Sequence, residues 1–151
     1  MKLPKILALA ILTLGFSLSA QAETTAPHAL RVDLIKDGKA INGATFSLKT
    51  NTEAWLVSSS TTAIPYVING DLLTRKTGLE VKVQVIKNVV SYDISYSELT
   101  GHTIIKDSSV PTIQGVTLLG SEIVHNTTSV KVDSKIFDTL KFTFLTDPFK
   151  K

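Results

Sequence analysis

A two-residue alternation of apolar and polar side chains runs from residue 79 to residue 96 and constrains what this chain can fold into. The polar pair Lys87-Asn88 divides the segment into two halves, and Asn88 tolerates the positive φ of a tight hairpin turn. A period of two on both sides of a short turn predicts a β-hairpin with one buried face. The predicted buried face comprises Leu79, Val81, Val83, Val85, Val90, Tyr92, Ile94 and Tyr96.

Shorter segments with strand-like patterns predict further strands. They comprise residues 30–35, 44–48, 54–58, 113–124, 128–132 and 139–145. Turn-forming residues lie at 36–39, 42–43, 69–71, 100–101 and 107–109. No helical period is found after residue 22. We therefore predict an all-β fold, either an antiparallel β-sandwich or a small barrel.

The first 22 residues have the pattern of a secretory signal peptide. Lys2 and Lys5 precede an apolar run, and Ala20-Gln21-Ala22 is a small-x-small cleavage sequence. An uncleaved membrane anchor is the alternative, but the apolar run at residues 6–16 is too short for a comfortable membrane span. We therefore predict cleavage between Ala22 and Glu23.

The predicted export determines the domain organisation and the compartment. Residues 1–22 would be removed, residues 23–29 would form a flexible polar lead, and residues 30–151 would form one β domain. The mature chain would have no stable membrane span and would work in the periplasm, at the outer membrane or outside the cell. Since the sequence has no cysteine, its stability would depend on the core rather than on disulfides.

The predicted mature chain is nearly neutral, although the full sequence has a formal charge of +3. Two of the sixteen Lys and Arg residues lie in the leader and none of the thirteen acidic residues do, which leaves a net charge of +1. No basic stripe with interleaved aromatic residues is present either. Nucleic acid is therefore not expected as a partner.

The sequence contains no pattern typical of catalysis, cofactor binding or metal binding. His28, His102 and His125 lack the spacing of metal ligands, and no G-x-S-x-G elbow marks a nucleophilic serine. The carboxylates lie singly at polar strand positions or in turns, which does not favour the carboxylate pair of a glycosidase. We therefore predict a protein that is not an enzyme and that uses no cofactor or metal.

Several short motifs occur in the order typical of one known family. The matching residues are Ala54, Pro65, Tyr66, Gly78, Val81, Val83 and Val85, followed by the segment 127–133. Over roughly residues 44–133, the chain resembles the C-terminal domain of bacterial secretins, the outer-membrane rings of secretion and type IV pilus systems. It departs from the family pattern at residues 58–62, which lack the expected glycine, and at Gln84, where the family has proline.

The resemblance implies a small secretin-like accessory protein that docks by its sheet edges and is not itself a pore. We thus expect an exported, non-enzymatic component of a bacterial envelope apparatus for secretion, pilus assembly or conjugation. It would bind other envelope proteins by β-strand addition, with residues 30–35 and 139–145 as candidate edge strands. The alternatives are a fimbrial subunit or adhesin, and a periplasmic ligand-binding or inhibitor protein.

Overall fold

The computed structural model describes residues 26–49 and 53–146, and these form two antiparallel sheets of four strands each. The predicted all-β class is confirmed. Of the two predicted architectures the sandwich is the correct one, since neither sheet closes into a barrel. Within these described ranges, no helix is long and apolar enough to cross a membrane.

The two sheets contain the strands in different orders. Sheet A has the order β2-β1-β8-β7, with β1 (Ala29–Lys36), β2 (Lys39–Ser47), β7 (Thr127–Lys131) and β8 (Thr139–Leu145). Sheet B has the order β3-β4-β5-β6, with β3 (Leu56–Ile68), β4 (Asp71–Ile86), β5 (Val89–Ile105) and β6 (Ser108–Ile123). Sheet B is therefore a simple meander, whereas sheet A joins the two ends of the described chain.

The predicted edge strands are wrong. The segment 30–35 lies in β1 and the segment 139–145 is β8, and these are the two central strands of sheet A. Each pairs with a strand on both sides, so neither has a free edge. The edges belong to β2 and β7 in sheet A and to β3 and β6 in sheet B. Strand order depends on long-range pairing, which the local alternation does not encode.

Two-residue turns close the hairpins, at Asp37-Gly38, Asn69-Gly70, Lys87-Asn88 and Lys106-Asp107. The turns predicted at 36–39 and 69–71 are confirmed. In the central hairpin the positive φ lies at Lys87, at 57°, and not at Asn88 as predicted. The turn predicted at 107–109 begins at residue 106, since Lys106 and Asp107 both have positive φ.

Two other predicted turns lie inside strands. Gly43 is in β2 opposite Asp33, where an added Cβ would lie 2.8 Å from the Oδ1 atom of Asp33. Gly101 is in β5, where a bulge between Leu99 and Gly101 shifts the register. Glycine marks close approaches and bulges as well as turns, so its presence alone did not distinguish these cases.

The core lies between the two sheets and confirms the alternation predicted for residues 79–96. Its fully buried members include Leu30, Val32, Leu34, Leu79, Val81, Val83, Val90, Ile94, Phe137, Leu140 and Phe142. The ring of Tyr92 packs on that of Phe142 at 5.0 Å between centroids, and Tyr96 packs edge-on against Phe137 at 6.3 Å. Burial, and secondarily the charge of Glu122, raises the pKa of Tyr92. Both tyrosines thus serve the core, as predicted.

The segment between β7 and β8 closes the core beside Tyr96. Ile136 and Phe137 are buried there. The carboxylate of Asp138 accepts hydrogen bonds from the backbone N–H of Asp37, at 2.8 Å, and from the hydroxyl of Thr139, at 2.7 Å. These two bonds hold the pKa of Asp138 below its ordinary value. The segment is thereby tied to the turn between β1 and β2.

Sheet B is about twice as long as sheet A. Strands β4, β5 and β6 have 16, 17 and 16 residues, whereas β1 and β8 have 8 and 7. The pairing of β4 with β5 extends only from Gly78–Ser97 to Ile86–Val89, and the fully buried residues of β4 lie in this part. Sheet A therefore covers one half of sheet B, and the other half projects beyond the sandwich.

Gly78 marks the point where β4 separates from β5. Its φ is +119°, and an added Cβ would lie 2.2 Å from the carbonyl oxygen of Ser60 on β3. Side chains of L-residues rarely adopt such a φ, and this one would also overlap the neighbouring backbone. The glycine that the sequence motif contains at this position therefore has a structural reason.

We predict that Gly78→Ala lowers the free energy of unfolding by about 3 kcal/mol, because strain in φ and overlap with Ser60 both contribute. Urea unfolding measures this loss. Gly38→Ala is the matched control, since Gly38 also has positive φ but no atom lies within 4 Å of the added Cβ. It should cost about 1 kcal/mol. Equal losses at the two positions would show that the approach to Ser60 is unimportant.

Candidate binding surface on the hairpin arms

Beyond Gly78 and Ser97, sheet B separates into two hairpin arms. Arm 1 comprises residues 61–77 of β3 and β4, and arm 2 comprises residues 98–115 of β5 and β6. Along the part of the chain that the structure describes, β4 does not pair with β5 beyond Gly78. At about 3.3 Å per residue, each arm extends roughly 25 Å past the end of the β4–β5 pairing.

The arms touch each other through β3 and β6, the two edge strands of sheet B. In a flat sheet these strands would lie about 14 Å apart, three strand spacings. Their approach to contact distance therefore requires the arms to fold towards each other where β4 and β5 have separated. Val110 and Pro111 of β6 are buried in this region, and Ile64 and Tyr66 of β3 are half-buried. The arms thus bury a few side chains of their own, outside the main core.

Arg75 of β4 makes a polar contact between the two arms. Its guanidinium lies over the ring of Tyr66, 5.9 Å from the centroid, and its Nη1 donates a hydrogen bond of 3.1 Å to the carbonyl oxygen of Pro111. A cation–π contact at an exposed site contributes about 0.5–1 kcal/mol. A hydrogen bond from a charged donor contributes about 1.5–3 kcal/mol. Arg75 therefore links β3, β4 and β6.

The arms also carry exposed large apolar side chains. Leu72 is 73% exposed and Ile104 is 69% exposed. The other large apolar side chains exposed on the arms are Val67, Leu73, Leu99 and Ile105. Of these six, only Val67 lies outside β4 and β5, the strands that lose their mutual pairing here. We call the surface formed by these six side chains the arm surface.

The arm surface was missed in the sequence analysis, although the sequence contains a signal for it. Leu72-Leu73 and Ile104-Ile105 are apolar doublets next to hairpin turns, and they interrupt the two-residue alternation. Successive residues of a strand point to opposite faces, so a doublet places apolar side chains on both faces. A strand that only covers a core needs one apolar face, so a doublet indicates a second apolar contact.

The residues of the secretin-like motifs do not form one site. Val81 and Val83 are fully buried between the sheets. Gly78 lies at the base of arm 1, and Pro65-Tyr66 lies within it. Ala54 precedes β3 at the opposite end of the sandwich, where it lines a cavity. The structure therefore brings only Pro65, Tyr66 and Gly78 to the same region. The predicted cleavage residues Ala20, Ala22 and Glu23 lie outside the described residues.

The cavity at that end has a volume of about 500 Å³, within the range of small-molecule sites. Leu48, Leu56 and Val85 contribute apolar walls. Lys49, Glu53 and Lys87 are the charged residues of its lining. An apolar wall with two lysines and one glutamate suits a small apolar molecule with an acidic group.

The histidines do not form a ligand set. His28, His102 and His125 are exposed and belong to different parts of the fold. Among the residues that can be described, no group of three His, Cys, Asp or Glu side chains could hold a metal ion. The arms and the cavity are candidate sites in the described part of the chain.

Comparisons with protein-family models, with curated proteins and with solved structures give no match to this chain. The resemblance to secretins therefore stays a prediction from the sequence.

We predict that Arg75 restrains the distance between the arm tips. Because the sequence has no cysteine, Asn69→Cys and Asp107→Cys can be spin-labelled without background. Double electron–electron resonance should give a narrow distribution of distances between the two labels. Adding Arg75→Met, which removes the guanidinium, should broaden it. Arg31→Met, in β1, is the matched control and should leave it unchanged. An unchanged distribution with Arg75→Met would show that packing of β3 on β6 alone holds the arms.

Proposed function

We propose that this protein is an exported, non-enzymatic interaction component of a bacterial envelope apparatus, and that its partner is an envelope protein that binds on the arm surface. The observation that carries the proposal is a set of six exposed large apolar side chains on the projecting arms, among which Leu72 and Ile104 are the most exposed. Large apolar side chains that are exposed together on one part of a protein are typical of an interaction site.

The energetics favour a partner on the arms. Full burial of a leucine or isoleucine side chain contributes about 1.5–3 kcal/mol. Covering the exposed parts of the six side chains would contribute on the order of 5 kcal/mol or more before the costs of association. Charge contributes little, since arm 1 has two basic residues and one acidic residue while arm 2 has one basic and two acidic. The expected partner therefore offers an apolar surface.

The sequence supports the envelope location and the type of apparatus. The N-terminal residues have the pattern of a signal peptide, and the chain has no catalytic pattern. The secretin-like motifs and the arms overlap, because Pro65 and Tyr66 lie in arm 1 and Gly78 lies at its base. These features support a role in secretion, pilus assembly or conjugation, in the periplasm or at the outer membrane.

The test compares charged substitutions on and off the arms. Leu72→Lys with Ile104→Lys should reduce crosslinking to the partner in intact cells at least about tenfold, which corresponds to about 1.4 kcal/mol. Leu119→Lys is the matched control, since Leu119 is 75% exposed on β6 outside the arms. It should leave the crosslinks unchanged. All three side chains are exposed, so the fold should tolerate each change.

Equal crosslinking by the arm variant and the control would contradict the proposed binding surface. Crosslinks only between copies of this chain, lost with the arm variant, would instead favour the fimbrial subunit. Mass spectrometry of the crosslinked species separates these outcomes.

The cavity favours ligand binding as a second candidate function. A fluorescent fatty-acid analogue should bind the purified protein, and Ala54→Trp, which fills the cavity, should weaken its binding about tenfold or more. Ala63→Trp, on the exposed face of arm 1, is the control and should not change binding. Equal binding by the two variants, or no binding at all, would contradict a site in this cavity.

A further inference from the structure

We infer that the partner binds by adding an extended, largely uncharged peptide strand to the free edge of β4 in arm 1, along residues 71–77. This rests on the proposed function, and it specifies how the arm surface is occupied. Strand addition uses main-chain hydrogen bonds for affinity and neighbouring side chains for specificity.

Pro65 shows which backbone groups of β4 are free. It pairs with Thr74, but proline has no N–H, so this pair cannot exchange two hydrogen bonds. The N–H and C=O groups of Thr74 therefore point away from β3. Because these directions alternate along a strand, Leu72 and Lys76 also point their backbone groups away from β3. They face the side on which β5 no longer pairs with β4, and of these groups the carbonyl oxygen of Lys76 accepts a long hydrogen bond, of 3.5 Å, from the hydroxyl of Ser97.

The hairpin turns give the same result independently. A two-residue turn is closed by a hydrogen-bonded pair, which is Ile68–Asp71 for the first hairpin and Ile86–Val89 for the central one. Odd-numbered residues of β4 therefore bond to β3, and even-numbered ones bond to β5 as far as Gly78. Beyond Gly78, the backbone N–H and C=O groups of the even-numbered residues of β4 still point to the side of β5, but no strand pairs with them there.

The other edges of the arms carry features that hinder strand addition. Pro65 lies on β3 and Pro111 lies on β6, and proline is tolerated on edge strands because it removes an outward donor. The bulge between Leu99 and Gly101 interrupts β5. In contrast, residues 71–77 pair with β3 without a register shift and contain neither proline nor glycine. Three of these seven residues are charged, but no proline or bulge removes backbone groups from this edge.

The surroundings of this edge define the chemistry of the added strand. Leu72 and Leu73 lie on opposite faces of β4, so both faces of an adjacent strand would meet an apolar side chain. Asp71 and Lys76 have opposite charges, and Arg75 is engaged with Tyr66 and Pro111. An apolar, uncharged strand therefore fits this edge better than a charged one.

The test uses a blocked nine-residue peptide of alternating isoleucine and threonine as the probe, with the purified protein. Residue-resolved hydrogen exchange should show the amides of Leu72, Thr74 and Lys76 slowed at least about tenfold when the peptide binds. Thr74→Pro should weaken binding about tenfold or more, because it removes a donor at this edge. Ala63→Pro is the matched control and should not weaken it, since Ala63 points its N–H outward from β3.

Three results would overturn the inference: no binding, unchanged binding by Thr74→Pro, or slowed exchange along β6 instead of β4. If Thr74→Pro does not fold, the exchange pattern of the unsubstituted protein decides. The experiments distinguish a failure of this inference from a failure of the proposed function. Loss of partner crosslinks by the Leu72→Lys and Ile104→Lys variant, without protection of β4 by the peptide, would leave the arm surface as a binding site used only through side chains.

Discussion

The backbone pairing between β4 and β5 is the interaction on which the rest of this structure depends. Over the paired stretch from Gly78 to Ile86, one face of β4 also buries Leu79, Val81 and Val83 against sheet A. The same residues thus supply main-chain hydrogen bonds and the centre of the core. Because both contributions come from one segment, the sandwich ends where this pairing ends.

The arms follow from a sheet that is longer than its cover. Once β4 and β5 separate at Gly78, each remaining hairpin is too small to be stable alone, because a two-stranded ribbon in water is marginal at best. Contact between β3 and β6, with Val110 buried and Arg75 bonded to Pro111, provides the missing support. The inner strands are left with free backbone groups and exposed leucine and isoleucine side chains. In the proposed complex, the added strand would pair with these backbone groups and cover these side chains.

The sequence was informative where local pattern and burial agree. The alternation at residues 79–96 identified the central hairpin and its buried face, and the segment 139–145 was placed correctly as a strand. The lengths of β4 and β5 were underestimated, since their outer parts lack a clean alternation. These parts do not lie against sheet A, and their doublets, such as Leu72-Leu73, break the period.

Features that depend on distant segments could not be predicted from one sequence. Strand order made β1 and β8 central rather than edge strands. The sequence predicts a turn at Gly43, because the local pattern does not reveal that Asp33, ten residues earlier, lies opposite it in the sheet. Among the motif residues, Val81 and Val83 proved to be core and Gly78 a bend. The candidate site thus depends on pairings that the motif did not reveal.

The most direct test of this account is residue-resolved amide hydrogen exchange in the free protein. If β4 loses its neighbour at Gly78, the amides of Leu73, Arg75 and Thr77 should be protected by β3, while those of Leu72, Thr74 and Lys76 should exchange rapidly. Glu80 and Lys82, which have the same parity as the second group, should be protected by β5. Uniform protection of the whole strand would show that the sheet does not divide and would contradict the account.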